Sequence, residues 1–270
     1  MIKLSAFIIT KNEASRIARA INSLKAIVEE ILIIDSGSTD NTIQIAKELG
    51  ARVIFNEWQG YVKQKSFGES LCKNDWVINI DADEELSQEL QDEIEFIFAS
   101  NMQDNYYAYQ TKIMILHRRD NTAHYFAPYN KCMRLYNRRY ASFSNNTLTT
   151  THDSVLLNSD ISTTGKIYNL NGIIYHRSGI SIEQLINKAN FYSSQQAQDL
   201  LKLGRAPSKV RISTELIFYF LKTFFIRRYF VFGFDGFVDS IILAFARFAR
   251  LAKARELINE QKTRNTISEN

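Results

Sequence analysis

Four carboxylates lie within five residues at the end of a short apolar run. The run begins at Trp76, and the acids that follow are Asp81, Asp83, Glu84 and Glu85. Two carboxylates two positions apart in extended chain point the same way, so each raises the pKa of the other unless a positive charge lies between them. A hard divalent cation that carries a diphosphate is the natural partner. The pattern therefore predicts a site for a metal ion and a diphosphate.

The same acids allow a second interpretation. Ser87 is a suitable N-cap for a following helix, and carboxylates near the positive end of a helix dipole stabilise the helix. Glu84, Glu85 and Glu89 would then belong to an acidic capping loop that binds no ligand. The acidic stretch alone does not distinguish a metal site from a capping loop, so the rest of the sequence is needed.

The first half of the sequence alternates apolar runs with amphipathic segments. Runs typical of buried strands are residues 4–10, 31–35, 51–55 and 76–81, and the helical segments between them are 17–24, 42–49 and 61–72. Strands and helices at this spacing form right-handed parallel units, whose functional loops meet at one edge of the sheet. The sequence therefore predicts an α/β fold with its site at that edge.

Polar side chains follow three of these predicted strands although folding does not require them. They are Thr10, Asn12, Glu13, Asp35, Ser38, Asp81 and Asp83. A carboxylate at Asp35 can accept hydrogen bonds from a nucleobase N–H or a ribose hydroxyl, and the Ser-Gly loop behind it lets a ligand approach the backbone. A polar turn in which Asp40 caps the next helix is the alternative, and both can hold.

Three motifs in this order resemble those of family 2 glycosyltransferases, which have the GT-A nucleotide-diphospho-sugar fold. They are Thr-Lys-Asn-Glu at 10–13, Asp-Ser-Gly-Ser-Thr-Asp at 35–40 and Asp-Ala-Asp at 81–83. The resemblance implies a nucleotide-sugar donor and a Mg²⁺ or Mn²⁺ ion bound by Asp83. It assigns donor binding to Thr10, Asn12, Glu13, Asp35, Ser38 and Asp81.

Residues 58–65 resemble a subgroup of this family that builds the core sugars of bacterial lipopolysaccharide. Lys65 would then lie near the nucleotide, and a solvated helix lysine is the alternative. From Tyr106 the sequence becomes alternating and β-rich, which predicts an antiparallel extension that carries the acceptor side of the site. Aromatic residues at 124–129 are candidates for stacking on a sugar or for a core cluster.

A second candidate for chemistry lies at residues 151–154. An inverting transfer needs a general base that removes the proton of the acceptor hydroxyl. The resembled subgroup has His-Glu here, whereas this chain has His152-Asp153, so we expect Asp153 to be a base with a shorter reach. A loop pair held by local hydrogen bonds is the alternative. By resemblance His176 approaches the metal or the diphosphate, although a lone histidine is otherwise structural.

The C-terminal part is basic and rich in apolar residues. Residues 201–270 contain 13 Lys and Arg against 6 Asp and Glu, in a chain of net charge +4. The apolar run at 216–226 is interrupted by Lys222 and falls short of the roughly twenty residues that span a bilayer. We expect a pair of helices that lies on an anionic membrane surface, or a hairpin packed on protein. The basic residues expected at lipid are Arg227, Arg228, Arg247, Arg250, Lys253 and Arg255.

The length and composition of the chain indicate its size class and its cellular compartment. With 270 residues and 45% hydrophobic residues, the chain can bury one large core. Two distant cysteines and a first apolar run too short for a signal peptide predict a cytoplasmic protein. With the basic C-terminal part, we expect it to be peripheral on the inner face of the cytoplasmic membrane. We expect a GT-A catalytic domain at 1–180 and amphipathic helices at 181–270.

These observations predict an inverting, metal-dependent glycosyltransferase. The expected reaction moves a sugar, glucose from UDP-glucose by resemblance, to a hydroxyl of a lipid-linked saccharide such as lipopolysaccharide core. The alternatives are a sugar-nucleotide nucleotidyltransferase, disfavoured because residues 10–13 contain no glycine, and an inactive membrane-surface binding module. Nucleic-acid binding is not expected because the basic residues alternate with apolar surface.

Overall fold

A mixed sheet with helices on both faces builds the first part of the chain. The computed structural model describes residues 2–118, 120, 122–143, 154–158, 167–177 and 181–268, so the predicted base Asp153 lies outside the described residues. The strands are β1 (Leu4–Thr10), β2 (Glu30–Asp35), β3 (Arg52–Phe55), β4 (Trp76–Asn79), β5 (Glu84–Leu86), β6 (Ala108–Ile115), β7 (Tyr129–Asn137), β8 (Ala141–Phe143), β9 (Val155–Leu157) and β10 (Ile167–His176). The helices among them are α1 (Ile17–Leu24), α2 (Thr42–Glu48), α3 (Tyr61–Ser70) and α4 (Gln88–Ala99).

Eight strands form the main sheet in the order β3-β2-β1-β4-β7-β6-β10-β5. Strands β1 to β4 are parallel as predicted. In the extension predicted from Tyr106 onward, β7 is antiparallel to its neighbours, whereas β6 and β10 run in the same direction as β4. The short strand β5 joins the edge of the sheet antiparallel to β10. Strand β6 pairs with β7 from Ala108 to Met114.

The alternation of apolar residues along β1 fills two cores. Leu4, Ala6 and Ile8 belong to one buried cluster, which the apolar stripe of α1 covers. Phe7 and Ile9 belong to the cluster on the other face, where α3 packs. Each side of the sheet is therefore sealed by a helix, and polar groups at the strand ends are left as the candidate site.

The chain divides into two compact units. Of the described residues, the first unit holds 2–116, 129–143, 154–158 and 167–177, and the second holds the segment 117–128 and the helices from 181 onward. The segment 117–128, which lies inside the predicted domain 1–180, groups here with the helices. The catalytic and membrane roles assigned to the two predicted domains stay predictions.

The second unit consists mainly of the helices α5 (Ile182–Lys202), α6 (Lys209–Leu221) and α7 (Gly233–Ser268). Ser181 caps α5, since its Oγ accepts a hydrogen bond from the Gln184 N–H at 3.1 Å. The chain reverses between α6 and α7 in a wide helical turn at Lys222–Ile226 and a 3₁₀ turn at Tyr229–Phe232. Residues 233–236 form the first turn of α7, which continues to Ser268.

Candidate active site

The site lies at the carboxyl ends of parallel strands in the first unit. Strands β1, β2, β4 and β10 run in one direction, so the residues that follow them meet at one edge. The structure describes nine of the ten predicted site residues, and all nine belong to this unit: Thr10, Asn12, Glu13, Asp35, Ser38, Lys65, Asp81, Asp83 and His176.

A short turn and strand β5 fix the acidic motif after β4. The Glu84 N–H donates to the Asp81 carbonyl at 3.0 Å, which closes the turn. The chain then enters β5, which pairs antiparallel with β10 and sets Glu84 opposite His176. The Arg177 N–H donates to the Asp83 carbonyl at 2.9 Å. The acidic run is therefore a strand-bound loop, and only its last part leads to the N-cap of α4 at Ser87.

Asp81 lies between two cations. Lys65 Nζ is 2.8 Å from Asp81 Oδ1, and Arg134 Nη2 is 3.2 Å from Asp81 Oδ2. Burial alone would raise the pKa of Asp81, but Lys65 and Arg134 hold it well below its usual range. The side chain of Asp81 remains 35% exposed, whereas that of Lys65 is 3% exposed. The alternative of a solvated Lys65 is therefore wrong, and an ionised Asp81 stays accessible to a ligand.

The conformation of α3 explains how Lys65 reaches the sheet edge. A Cβ on Gly68 would lie 2.8 Å from the Phe7 ring and 3.0 Å from Ile34 Cγ1. Only a glycine permits this close approach of α3 to β1 and β2. Because Lys65 lies one turn earlier, the glycine positions its ammonium group as well.

Arg134 and Glu84 form a buried pair that the sequence analysis missed. Arg134 Nη2 is 2.6 Å from Glu84 Oε1, and its Nη1 donates to Asn79 Oδ1 at 3.1 Å. Burial raises the pKa of Glu84, although Arg134 opposes the shift. An arginine between the apolar residues Met133 and Leu135 of a predicted strand was the available signal, since a buried charge needs a partner.

Asp83 makes a second set of contacts. His176 Nε2 and Arg16 Nη1 each lie 3.4 Å from Asp83 Oδ2. Burial would raise the pKa of Asp83, but the hydrogen bond and charge of His176 lower it below its ordinary value. For His176 the directions are opposite: burial alone would lower its pKa, but the hydrogen bond and charge of Asp83 raise the pKa above its ordinary value. The structure thus brings together the two predicted metal ligands.

Arg16, which the sequence analysis also missed, joins the first loop to the acidic motif. It is 7% exposed and pairs with Glu13 through Nε at 2.7 Å. Its Nη1 also donates to the Arg177 carbonyl at 3.0 Å. Glu13 is therefore engaged with an arginine in this structure, and the spacing of three residues on a helical turn was the sequence signal for that pair.

The loop after β2 is held by Asp35. Its Oδ2 accepts from the N–H groups of Gly37 and Ser38 at 2.8 and 2.9 Å, and Oδ1 accepts from the Ser38 hydroxyl. Asp35 is 1% exposed. Its carboxylate shapes the loop here, and its contact with a nucleoside stays a prediction.

Asn12 couples the first loop to the second. Its N–H donates to Ser38 Oγ at 2.9 Å, and its Oδ1 accepts from the Thr39 N–H at 2.8 Å. Asn12 adopts a left-handed backbone with φ of 58°, which asparagine tolerates well. Thr10 Oγ1 is buried without a hydrogen-bond partner in the described part of the chain. Asp40 accepts from the Thr42 N–H at 3.0 Å and so supports the start of α2.

A divalent metal would find few protein ligands at this edge of the sheet. Among the described residues, no group of three or more His, Cys, Asp or Glu side chains is arranged to hold an ion. Mg²⁺ is usually held by one or two carboxylates together with substrate phosphates. Asp83, with the exposed Asp81 and His176 nearby, fits that shared mode of binding and not a metal site made of protein alone.

A family model described as glycosyl transferase family 2 matches residues 5–160. An uncharacterized glycosyltransferase of Rickettsia typhi is 66% identical over 268 residues, which cover 99% of this chain and 91% of that protein. The lipopolysaccharide core biosynthesis glycosyltransferase LpsC of Rhizobium meliloti is 28% identical over 263 residues, with 93% and 92% covered.

Two solved structures are also similar. Residues 1–349 of S. aureus TarS align with 97% of this chain and 92% of that chain, with 16% identity and a TM-score of 0.43. Glucosyl-3-phosphoglycerate synthase from Mycobacterium tuberculosis, in complex with Mn²⁺, UDP and its product, aligns with 44% of this chain and 45% of that chain, with 22% identity and a TM-score of 0.34.

Proposed function

This chain belongs to glycosyltransferase family 2 and has the GT-A fold, and we propose that it transfers one sugar from a nucleotide-diphosphate donor to a hydroxyl of a lipid-linked saccharide, with inversion at the anomeric carbon. The observation that carries the proposal is the pair of aspartates at the sheet edge. Asp81 and Asp83 are both kept ionised by cationic neighbours, and Asp81 stays open to solvent.

The donor half of the site is proposed to hold a Mg²⁺ or Mn²⁺ ion through Asp83 and His176. When bound, such an ion neutralises charge that develops on the leaving diphosphate. Lys65 and Arg134 add fixed positive charge beside Asp81, the residue on the donor side. A positive environment that is present before the reaction stabilises the departing group without reorganisation.

The two loops after β1 and β2 are proposed to bind the nucleoside. Asn12, Ser38 and Asp35 form one hydrogen-bonded unit there, and Thr10 Oγ1 is a buried hydroxyl that still has capacity for a hydrogen bond. Glu13 contributes through Arg16, which ties this unit to Asp83. One connected set of side chains would thereby bind both the nucleoside and the diphosphate.

Asp153 is proposed as the base that takes the proton of the acceptor hydroxyl during a single displacement. The proposal rests on the position of Asp153 in the family resemblance and on the need of an inverting transfer for a base. We expect Asp153→Asn to lower kcat about 100-fold or more while the affinity for UDP-glucose stays unchanged. A parallel loss of UDP-glucose binding would instead place Asp153 in the donor site.

The acceptor is proposed to be lipopolysaccharide core, and the donor to be UDP-glucose. The support for the acceptor is the similarity to LpsC over nearly the full length of both chains. UDP-glucose follows from the family resemblance alone. An acceptor of this kind is anchored in lipid, so the enzyme would work as a peripheral protein at the inner face of the cytoplasmic membrane.

Calorimetry with UDP-glucose, with and without Mn²⁺, tests the donor site. We expect Asp83→Asn to weaken Mn²⁺-dependent binding about 100-fold, because the ion loses a charged ligand. Glu95→Gln, which changes an exposed carboxylate on α4, is the matched control and should bind like the wild type. If neither UDP-glucose nor any of a panel of nucleotide sugars binds the wild type, the chain is a binding module that has kept the fold.

A further inference from the structure

Exposed phenylalanines cluster where the chain turns from α6 into α7. Phe225, Phe230, Phe234 and Phe237 are 56%, 47%, 78% and 39% exposed. Their rings form a connected group, since Phe224 lies 5.1 to 6.4 Å from three of them and Phe234 lies 6.0 Å from Phe237. We call residues 221–237 the hairpin tip.

The hairpin tip is also positively charged. No Asp or Glu occurs between Glu215 and Asp235, whereas Lys222, Arg227 and Arg228 all lie in that stretch. All three are exposed, and none of them makes an ion pair with the part of the chain that the structure describes. Apolar side chains and cations without a carboxylate partner are therefore presented by the same short segment, in which Arg227 also lies over the Tyr219 ring at 5.6 Å.

Four other cations of the C-terminal part are used inside the second unit. Each of these four contacts a group on a neighbouring helix or connection: Arg247 with Glu215 at 3.1 Å, Arg250 with Gln196 at 3.4 Å, Lys253 with Asn190 at 2.7 Å and Arg255 with the Pro207 carbonyl at 3.1 Å. Four of the six basic residues expected to face lipid thus hold helices together. The two that remain, Arg227 and Arg228, lie at the hairpin tip and are exposed.

The turn that presents these side chains is a built conformation. Arg228 and Gly233 both have positive φ, of 64° and 59°. A Cβ on Gly236 would lie 1.9 Å from the Tyr229 carbonyl oxygen, so the turn folds against α7 only because residue 236 is glycine. Apolar and basic groups are therefore held at the surface by defined backbone and not by a frayed end.

We propose that the hairpin tip is a docking site for an anionic lipid bilayer. The phenylalanines and Ile226, which is 75% exposed, would enter the boundary between headgroups and acyl chains, while Lys222, Arg227 and Arg228 contact lipid phosphates. Exposed apolar surface together with unopposed positive charge fits this partner. The inference rests on the proposed function in one respect, because it names the surface that brings the enzyme to a lipid-linked acceptor.

Docking by the tip differs from spanning of the bilayer by α7. One helix among the described residues, at Tyr229–Gln261, is long and apolar enough to cross a membrane by length and composition, and a third of its most apolar window is buried in the structure. Within it, Asp239 lies 2.9 Å from Arg118 of the same unit. The ion pair and the partial burial show that this helix packs inside a protein unit.

Co-sedimentation of the full chain with vesicles tests the proposal. The wild type should bind vesicles of phosphatidylcholine and phosphatidylglycerol at least ten times more strongly than pure phosphatidylcholine. The variants F225S/I226S and R227Q/R228Q should each lose at least ten-fold in this binding, the second more strongly at low salt. The matched controls are F96S, an exposed phenylalanine of α4, and K25Q/K47Q, two exposed lysines of the first unit.

Several outcomes would overturn the proposal. These are wild-type affinity in both tip variants, no binding of the wild type to either vesicle, and resistance of the membrane-bound protein to alkaline extraction, which would mean that α7 spans the bilayer. A dimer that the tip variants convert to monomer, without any lipid binding, would identify a second copy as the partner. UDP-glucose binding measured on the same variants should equal that of the wild type, so failure of the donor site and failure of the docking site are distinguishable.

Discussion

At the scale of single residues, charge compensation around Asp81 and Asp83 is the dominant feature. Four cationic or titratable side chains surround the two aspartates, namely Lys65, Arg134, Arg16 and His176. In a protein without bound ligand these groups relieve the repulsion between the carboxylates. A bound cation would therefore compete with protein side chains for the same oxygens.

Arg134 should contribute strongly to stability. Arg134→Met leaves Glu84, which is 2% exposed, as an unpaired buried carboxylate, and we expect a loss of about 3–5 kcal/mol in the free energy of unfolding. Urea denaturation measures it. Adding Glu84→Gln to the same chain should recover much of the loss, and a double variant no more stable than Arg134→Met alone would contradict the pairing.

Lys65 should affect donor binding more than stability. Lys65→Met removes the cation 2.8 Å from Asp81, and we expect about ten-fold weaker binding of UDP-glucose in calorimetry because the diphosphate meets less positive charge. Lys63→Met, at an exposed position two residues earlier on α3, is the control. Equal affinities of the two variants would show that Lys65 serves Asp81 alone.

At the scale of elements, the packing of α3 on the sheet controls the site. Gly68→Ala places a methyl group 2.8 Å from the Phe7 ring, so α3 has to shift. We expect a loss of about 1–3 kcal/mol in unfolding free energy and weaker UDP-glucose binding, since Lys65 moves with the helix. Ser70→Ala, at the exposed end of the same helix, should change stability by less than about 0.5 kcal/mol. If Gly68→Ala binds UDP-glucose with wild-type affinity, donor binding does not depend on the position of α3.

Glu69 of α3 adds a pH dependence to this packing. It accepts hydrogen bonds from the Tyr136 hydroxyl and the Phe143 N–H, both at 3.1 Å, and burial raises its pKa above the ordinary 4.5. The folded protein therefore holds this proton more tightly than the unfolded chain. The resulting stability is fully present below pH 4.5 and is lost as the pH rises through the folded-state pKa.

Chemical denaturation at a series of pH values measures this effect. Glu69→Gln cannot ionise, so the difference in unfolding free energy between the variant and the wild type should grow in favour of the variant as the pH rises above 4.5. The exposed Glu48→Gln on α2 provides the comparison for a general charge effect. A constant difference between Glu69→Gln and the wild type across the series would show that burial does not shift this carboxyl.

At the scale of the whole molecule, the fold should not depend on a metal. The described residues offer no cluster of three or more metal-binding side chains, and protein cations already compensate Asp81 and Asp83. We expect EDTA to leave the Tm of the ligand-free protein unchanged. UDP with Mn²⁺ should raise the Tm, because ligand at a hundred-fold excess over Kd adds about 2.7 kcal/mol to the free energy of unfolding. A drop in Tm with EDTA alone would indicate a structural metal.

The sequence predicts the local part of this architecture well. Strands β1 to β4 and the buried face of α1 follow from periodicity, because each pattern lies within a few residues of sequence. The position of β7 between β4 and β6 and the pairing of β5 with β10 depend on contacts between distant segments. Arg134 was missed for that reason, since its partner Glu84 lies 50 residues away.

The part of the candidate site that could be predicted consists of residues in short, contiguous motifs. Asp81, Asp83 and the loop at Asp35 were found because each motif is short. Arg16 was overlooked because nothing in its local sequence shows that its guanidinium reaches Arg177, 161 residues further along.

These separations also set an order of assembly for the site. A chain that has been synthesised only as far as β6 already contains both aspartates, yet it lacks Arg134, His176 and the backbone of Arg177. The carboxylates then repel each other with only Lys65 and Arg16 to relieve them. Contacts of such long range form late in folding. A nascent chain on the ribosome should therefore gain its affinity for a sugar nucleotide in one late step, once β7 and β10 have entered the sheet.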